Sequence, residues 1–512
     1  MIEPSFFDEQ TESFSSFREV ISKYRPLSVF GKKIFSNLIP LKEEELHAHF
    51  RFLLDIAVCE EKRMNVEHIL EDFHEISASL ASIDSGTADE VDLFEIKRFI
   101  HHQRALKKIL DGCNLNILST FDPLWLTLDP QKSGSYIFYL QNSEIEELTS
   151  NYGKIQKEIE KLYSESIEAI NERFNLSLNE KRFVIERTNA EDLIKSNLVM
   201  IEREGVRSYT LVVRPTEKIL QKEEELFNLE NALKEAQSRE MKRITFEIER
   251  WTEKIREEIK TISMFDLSFA QIKALKDGYV FPEFSDTIDL DGAFHPIVKA
   301  GLEEKSLEYT TLTGHFDEGL TLIFGPNMGG KTTILRTLAL SCALAMYGFP
   351  IPAKRGKIPP VEWIRFIGTP SENIDLSSFA VQIDEIVDAM KLEGRGLILI
   401  DEFGSGTNPY EGEALATALA RYLSKTKNLT VMVTHFRRAI EGVECKKYTV
   451  GQLNFSEDIT LQTLKAKIDH RLTDGALLTN GDALKLAKVL GIPKEIFDDA
   501  SKILELISTN KK

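Results

Sequence analysis

The apolar residues of this chain recur at two different periods, and the change of period divides it. Over residues 25–144 they lie three or four positions apart, as in Phe50, Leu53, Leu54 and Ala57 and again in Ile96, Ile100, Leu106 and Ile109. That spacing predicts a helical core with one buried face per helix, and no chemistry is legible in it. Two longer amphipathic runs follow within residues 145–276. The first carries Ile145, Leu148, Ile155, Ile159, Leu162, Ile167 and Ile170. The second carries Leu226, Leu229, Leu233, Ala236, Ile244, Ile248, Trp251, Ile255, Ile259 and Ile262. Glu and Lys are dense between these positions, a pattern that suits an antiparallel pair of helical arms or two ordinary bundle helices. Between the runs, residues 181–220 are richer in β-branched positions, and Tyr209-Thr-Leu-Val-Val213 ahead of Arg214-Pro215 predicts a strand in an insert at the end of the arms.

After Asp277-Gly278 and Pro282 the pattern turns to α/β and defines a domain over 277–455. The remainder, 456–512, reads as a helical tail with Gly491-Ile492-Pro493 as a turn between two helices, and residues 1–24 read as an acidic tail. The fold class is therefore α+β and multidomain: helical core, helical arms, α/β domain, helical tail. A chain of 512 residues has the length for two to four domains, each with its own core.

Charge and cysteines narrow the classes. The net charge of −18 makes nonspecific attraction to nucleic acid or to an acidic membrane surface a poor default, so any nucleic-acid contact needs a local basic patch. Cys59, Cys113, Cys342 and Cys445 form no Cys-x-x-Cys pair, which fits a reduced cytosol better than zinc or disulfide chemistry. The N-terminus is acidic where a secretory signal is basic, and no apolar run reaches the roughly 18 residues of a membrane span. A cytoplasmic protein without membrane contact is expected.

The chemistry lies in the α/β domain. Gly325-Pro326-Asn327-Met328-Gly329-Gly330-Lys331-Thr332-Thr333 follows an apolar strand, Gly319–Phe324, and precedes a helical pattern. Glycines in that order let backbone N–H groups fold around an anion at a helix N-terminus, where the helix dipole favours negative charge. Lys331 then adds a point charge for the β- and γ-phosphates, and the Thr332 hydroxyl can ligate Mg²⁺. About seventy residues later a second apolar strand ends in Asp401-Glu402. Asp401 can support the same metal, and Glu402 can orient or deprotonate the attacking water. Strand, loop, helix and carboxylate strand together predict a P-loop nucleotide hydrolase using ATP and Mg²⁺. A lone histidine usually reads as a satisfied core residue. For His435, at the end of the strand Leu429–Thr434 and next to Thr434, a functional reading is favoured instead.

These residues also carry a family resemblance. Gly-Pro-Asn-Met-Gly-Gly-Lys-Thr-Thr at 325–333, Ser377-Ser-Phe379, Asp401-Glu-Phe-Gly-Ser-Gly-Thr-Asn-Pro409, Glu411-Gly412 and Thr434-His435 occur in the order and spacing of MutS-type ATPases. The Gly-Pro-Asn-Met form is far more specific than a generic phosphate loop. His295-Pro296 and residues 482–493 resemble the same family, as does, more loosely, Arg25-Pro-Leu-Ser-Val-Phe-Gly31 at the start of a lever-like region. The arms precede the loop, unlike the coil of the long chromosome ATPases, which separates the loop from the Asp-Glu strand.

The resemblance implies an ABC-type ATPase fold, a homodimer with two composite ATP sites, and a dimerising role for 456–512. In that frame Lys331, Glu402 and His435 are catalytic, residues 325–333 bind nucleotide, Thr332 and Asp401 hold the metal, and Ser377 reaches the partner's nucleotide. Tyr309 is a candidate to stack on the base. There are also departures. Phe7-Asp8-Glu9 matches the Phe-x-Glu wedge of mismatch readers, but only about fifteen residues separate it from the lever-like segment, so it is read as a chance match and the mismatch-reading and connector domains are expected to be missing. Gln382 stands where many mismatch-repair members have an acid.

Two functional expectations follow. The insert has eight Lys or Arg against six Asp or Glu, and Lys181, Arg182, Arg187, Lys195, Arg203, Arg207 and Arg214 are candidates for phosphate contact. Arms ending in such an insert can clamp branched or distorted double-stranded DNA through its backbone and shape. The alternative is a protein client, since the lean layout resembles short MutS-like ATPases proposed to reactivate a cobalamin-dependent lysine aminomutase. Basic residues converging on the inner face of the arms favour the first, and scattered ones, or an apolar patch at the arm tips, the second.

Overall fold

The computed structural model describes residues 5–326, 329–368, 376–453, 468–475 and 491–509, with the single positions 484 and 487. The chain forms two compact units, one made of residues 1–71, 109–116 and 260–512 and the other of 72–108 and 117–259. The helical core expected over 25–144 is thus shared between the two rather than standing as a domain.

Residues 5–24 are not a tail. Asp8 caps helix α1 (Glu9–Ser15) by accepting from the Thr11 N–H at 2.7 Å, and Ser16, in the left-handed region at φ 53°, turns the chain into α2 (Phe17–Ile21). Phe6, Phe7 and Phe17 bury their rings around Tyr347, with centroids 5.4, 6.1 and 4.6 Å from it. The Ile364 N–H donates to the Phe6 carbonyl at 2.9 Å and the Phe366 N–H to the Thr11 hydroxyl at 2.8 Å, so the segment occupies the outer edge of strand Trp363–Ile367. Its acids face solvent while its phenylalanines, at irregular spacing, enter the core. Phe7 is buried, which accords with the reading of Phe7-Asp8-Glu9 as a chance match to a wedge.

In the second unit, α3 (Ser143–Phe174) and α5 (Glu217–Glu249) are the arms. At 32 and 33 residues each is about 48 Å long at 1.5 Å per residue. They run antiparallel: Glu144 meets Arg239 at 2.7 Å, Glu158 meets Lys222 at 3.0 Å, and the Tyr163 hydroxyl donates to Glu223 at 3.0 Å. The second arm was expected to continue through Ile262. It breaks at Arg250 and Trp251, where the Trp251 N–H takes the Ile248 carbonyl and the Thr252 hydroxyl donates to the Glu249 carbonyl, before a new helix, Thr252–Gln271. A threonine hydroxyl bonding its own backbone in this way competes with the helical ladder.

The insert is a three-stranded antiparallel sheet in the order β1 (Arg182–Glu186), β3 (Ser208–Val213), β2 (Val199–Glu204), with α4 (Arg187–Lys195) beside it. Leu193, Val199, Leu211 and Val213 close a small core on Ile167 and Ile170 of α3.

Among the described residues the first unit holds two larger sheets and one strand pair. Four strands, β4 (Glu283–Phe284), β5 (Ile288–Ala293), β6 (Leu312–Phe316) and β8 (Arg355–Ile358), pair in the order β4-β8-β5-β6. The larger sheet contains β7 (Gly319–Phe324), β9 (Trp363–Ile367), β10 (Gly396–Asp401), β11 (Leu429–Val433), β12 (Lys446–Thr449) and β15 (Thr473–Asp474), in the order β15-β12-β7-β11-β10-β9. All its pairings are parallel except β12 with β15. The remaining short strands, β13 (Gln452–Leu453) and β14 (Ile468–Asp469), pair with each other. Helices α6 (Lys331–Met346), α7 (Leu376–Lys391), α8 (Pro409–Leu423) and α9 (Arg437–Gly442) belong to this α/β region, and α10 (Lys494–Thr509) closes the described chain. Because β15 extends the large sheet, that region reaches past the expected boundary at 455, and 456–512 is not wholly helical.

Asp266, buried in the helix Thr252–Gln271, fixes the entry to the first unit. Its carboxylate accepts from the Leu27 and Ser28 N–H groups at 3.0 and 2.7 Å and from the Ser28 hydroxyl at 2.6 Å. Burial pushes its carboxyl above the usual range. A Cβ on Gly31 would lie 2.3 Å from Asp266 Oδ2 and 2.7 Å from Pro26 Cβ. Gly31→Ala should therefore cost about 1–3 kcal/mol of stability in urea unfolding, as overpacking does. Gly301→Ala, where an added Cβ meets open space, should be neutral or stabilising.

Candidate nucleotide site

All six residues of β7 are buried, as a strand flanked by parallel neighbours requires, and its C-terminal end is the place where ligands meet such sheets. The chain leaves it at Gly325 with φ 145°. A Cβ there would stand 2.0 Å from the Val450 carbonyl oxygen, and one on Gly451 would stand 2.5 Å from Gly329 Cα, so only glycines allow the two backbones to approach this closely. The Gly329 N–H donates to the Pro326 carbonyl at 3.0 Å, and Gly330, at φ 87°, is the N-cap of α6. Thirteen of the sixteen α6 residues are buried, which makes it a fixed post behind the loop.

Lys331 opens α6. Its ammonium donates to the Gly325 and Pro326 carbonyls at 2.9 and 3.1 Å and lies 3.6 Å from Glu402 Oε1. Burial pushes its pKa down, opposed by the nearby charges of Glu402 and Asp401. One residue on, the Thr332 hydroxyl donates to Asp401 Oδ2 at 2.7 Å. Burial pushes the Asp401 carboxyl up, against the Thr332 bond that holds its charged form. Glu402, just beyond β10, has φ 53°, a left-handed conformation that costs a side-chain-bearing residue roughly 1–2 kcal/mol. Its N–H donates to the Val433 carbonyl at 3.2 Å.

Four of the expected residues, Lys331, Thr332, Asp401 and Glu402, thus meet at one edge of the sheet. Among the described residues no group of three His, Cys, Asp or Glu is placed to hold a metal alone. The Thr332 hydroxyl and Asp401 carboxylate are the hard oxygen donors that Mg²⁺ takes beside phosphate, so the donor set fits that ion.

His435 follows β11, between the strands that lead to Gly325 and to Asp401, and is exposed with its ring 4.4 Å from that of Phe436. Thr333 is half-buried in the first turn of α6, with its carbonyl accepting from the Thr337 hydroxyl. Asn327 and Met328 lie outside the described residues, as does the side chain of Ser377 at the start of α7. Gln382, which stands where many mismatch-repair members have an acid, is buried, and its carbonyl oxygen accepts from the Gly404 N–H at 3.4 Å. Tyr309 is half-buried, and its hydroxyl accepts from the His295 N–H at 2.9 Å. Sequence reasoning missed Val450 and Gly451, which back the loop, and His470, whose ring Nδ1 is 3.4 Å from where a Gly330 Cβ would sit. All three follow the Asp401-Glu402 strand in sequence, and no local spacing marks them.

Of the basic candidates of the insert, Arg182 and Arg203 lie in strands of the small sheet, Lys181, Arg207 and Arg214 just outside them, and Arg187 and Lys195 in α4. Arg182 pairs with Glu202 at 2.6 Å, Arg187 with Glu204 at 3.2 Å and Lys195 with Glu191 at 2.9 Å. The Lys181 ammonium lies 5.0 Å from the centre of the Tyr163 ring. Arg203, Arg207 and Arg214 are exposed and have no ion pair among the described residues. Arg214 follows β3 while Arg207 precedes it, so the two lie at opposite ends of that strand. The same sheet exposes Val184 and, in the turn before β3, Val206, which is 94% accessible.

No helix among the described residues is long and apolar enough to cross a membrane. Residues 321–508 match the family model of MutS domain V. The chain is 24% identical to the DNA mismatch repair protein MutS of Fusobacterium nucleatum subsp. nucleatum, over 95% of this chain and 56% of that protein. For the proteins of the same name from Clostridium beijerinckii and Caldicellulosiruptor saccharolyticus the identity is 26% in both cases, over 85% and 90% of this chain and 49% and 55% of theirs. The region that assembles the nucleotide site is therefore similar to MutS domain V, and the chain spans about half the length of the MutS proteins it resembles.

Proposed function

We propose that this chain is a MutS-like ATPase that hydrolyses ATP to ADP and phosphate as a homodimer and uses its arms as a clamp on branched or distorted double-stranded DNA. The observation that carries the enzymatic part is the meeting of Lys331, Thr332, Asp401 and Glu402 at the end of β7 and β10. Backbone N–H groups at the α6 N-terminus would cradle the phosphates, and Lys331 would transfer its contacts from the loop carbonyls to them. Thr332 and Asp401 would hold Mg²⁺, which supplies positive charge against the phosphate oxygens. Glu402 would orient the attacking water and accept its proton, and His435 would lie near the γ-phosphate. Glu402→Gln should bind ATP normally and lower turnover by about 100-fold, the scale of losing one positioned catalytic group, in a comparison of single-turnover hydrolysis with equilibrium binding. Unchanged turnover would remove Glu402 from the reaction.

The DNA part is supported by the arms, by the insert and by the relatives' name, DNA mismatch repair protein MutS. With three of the seven basic candidates ion-paired within the insert, charge attraction should be modest. If Arg203, Arg207 and Arg214 of both subunits reach phosphate, the slope of log K against log salt should be about −5, at roughly 0.9 per contact. Preference for a four-way junction over linear duplex, altered by ATP, completes the expected result. The apolar tip at Val206 and the scatter of the basic residues favour the second reading, a protein client. Absence of DNA binding at low salt, with ATP turnover intact, would contradict the clamp and leave that reading standing.

A further inference from the structure

The turn between β2 and β3 is built against the usual chemistry of a hairpin. The Gly205 N–H donates to the Ser208 carbonyl at 2.9 Å and closes the turn around Val206 and Arg207. Two-residue hairpin loops are ordinarily Asn-Gly or a similar pair with positive φ, and neither residue here has one. Support comes instead from Arg187, the first residue of α4. Its N–H donates to the Arg207 carbonyl at 3.1 Å and its Nε to the Gly205 carbonyl at 3.0 Å. Its guanidinium also meets Glu204 at 3.2 Å and lies 4.6 Å from the centre of the Tyr209 ring. The turn is thus braced from one side, while Val206 at its apex is 94% accessible.

Val206 adds nothing to this fold. It is no part of the small core around Leu193, Leu211 and Val213, and valine is not a turn former. Departures of this kind from local rules concentrate where a chain is used rather than where it is held together. An apolar tip by itself would suit a protein surface, and its surroundings narrow the choice. Glu202 and Glu204, the acids of the strand leading to the turn, are taken by Arg182 and Arg187. Arg203 and Arg207, which flank Val206 in sequence, are exposed and have no ion pair among the described residues, and Glu186, opposite Ser208, is the acid left near them. In a chain of net charge −18, a braced apolar tip with two unpaired guanidiniums is complementary to a polyanion that also offers an apolar surface. Duplex DNA offers one where its stack is broken, as at a branch point, because a base-pair face there is bare. An intact duplex offers none until a step is unstacked, which costs free energy.

We propose that Val206 is the residue by which the arms distinguish DNA with a broken stack from intact duplex, packing on the bare base-pair face while Arg203 and Arg207 meet the adjoining phosphates. This rests on the reading of the arms as a DNA clamp. Phosphate contacts are available on any duplex and set affinity without regard to structure. The valine contact exists only where stacking is already lost. Loss of the valine should therefore remove the preference and leave the attraction, and loss of an arginine should do the reverse.

The test is equilibrium binding of the full chain, Val206→Ser and Arg207→Ala to a four-way junction and to linear duplex across a salt series, with 2-aminopurine at the branch-point base to report stacking. The unsubstituted chain should prefer the junction and change the 2-aminopurine fluorescence on binding. Val206→Ser should cut that preference about tenfold, the scale of burying one valine side chain, and lose the fluorescence change, with affinity for linear duplex altered less than about twofold and an unchanged melting temperature. Arg207→Ala should weaken both DNAs alike and flatten the salt slope by about 2, at roughly 0.9 per contact in each of two subunits, while keeping the preference. A preference and fluorescence change that survive in Val206→Ser overturn the proposal, and so do an equal loss of affinity for both DNAs in that variant and equal binding of both DNAs by the unsubstituted chain. Absence of binding to either DNA by the unsubstituted chain would instead overturn the clamp reading on which the proposal rests and turn the tip toward a protein client.

Discussion

The site depends on one close approach, that of the backbone leaving β7 to the backbone leaving β12. Gly325 passes the Val450 carbonyl, and Gly329 passes Gly451, at distances that exclude a Cβ on Gly325 and on Gly451. This contact sets the loop over the start of α6 and puts Lys331 and Thr332 at the sheet edge. Because β11 lies between β7 and β10, the same edge receives Asp401, Glu402 and His435. A P-loop motif states which residues are present. The order of parallel strands is what makes them neighbours.

The electrostatics of that edge set desolvation against local charge. Lys331 is buried and Asp401 half-buried, and desolvation pushes each toward its neutral form, the lysine down and the carboxyl up. What favours the charged forms is local: Glu402 and Asp401 near the ammonium, and the Thr332 hydroxyl on the carboxylate. Phosphate and Mg²⁺ would strengthen the same preferences, since each brings the opposite charge to the group it meets.

Much of this was legible in the sequence where the signal was local. The apolar spacing marked the arms, Tyr209–Val213 marked a strand now seen as β3, and Gly319–Phe324 marked β7. Three things were not legible. The break at Trp251 leaves the helical period intact, because one threonine hydroxyl bonding its own backbone moves no apolar residue. The N-terminal segment looked like a tail because its acids dominate its composition, while Phe6, Phe7, Phe14 and Phe17 are buried at no regular period. A count of basic residues in the insert could not foresee that Glu191, Glu202 and Glu204 would pair with three of them across strands or along α4. In each case the missing information was a contact between positions that the sequence pattern treats independently.

The claim that everything else rests on is that Lys331 binds the phosphates of a nucleotide that the chain hydrolyses. The most direct measurement is Mg²⁺-dependent phosphate release from ATP by the purified chain and by Lys331→Ala. The account predicts steady release by the former and a loss of at least about 100-fold in the latter, since the substitution removes the point charge that pairs with the phosphates. No release by the unsubstituted chain, or equal release by the two, would contradict it.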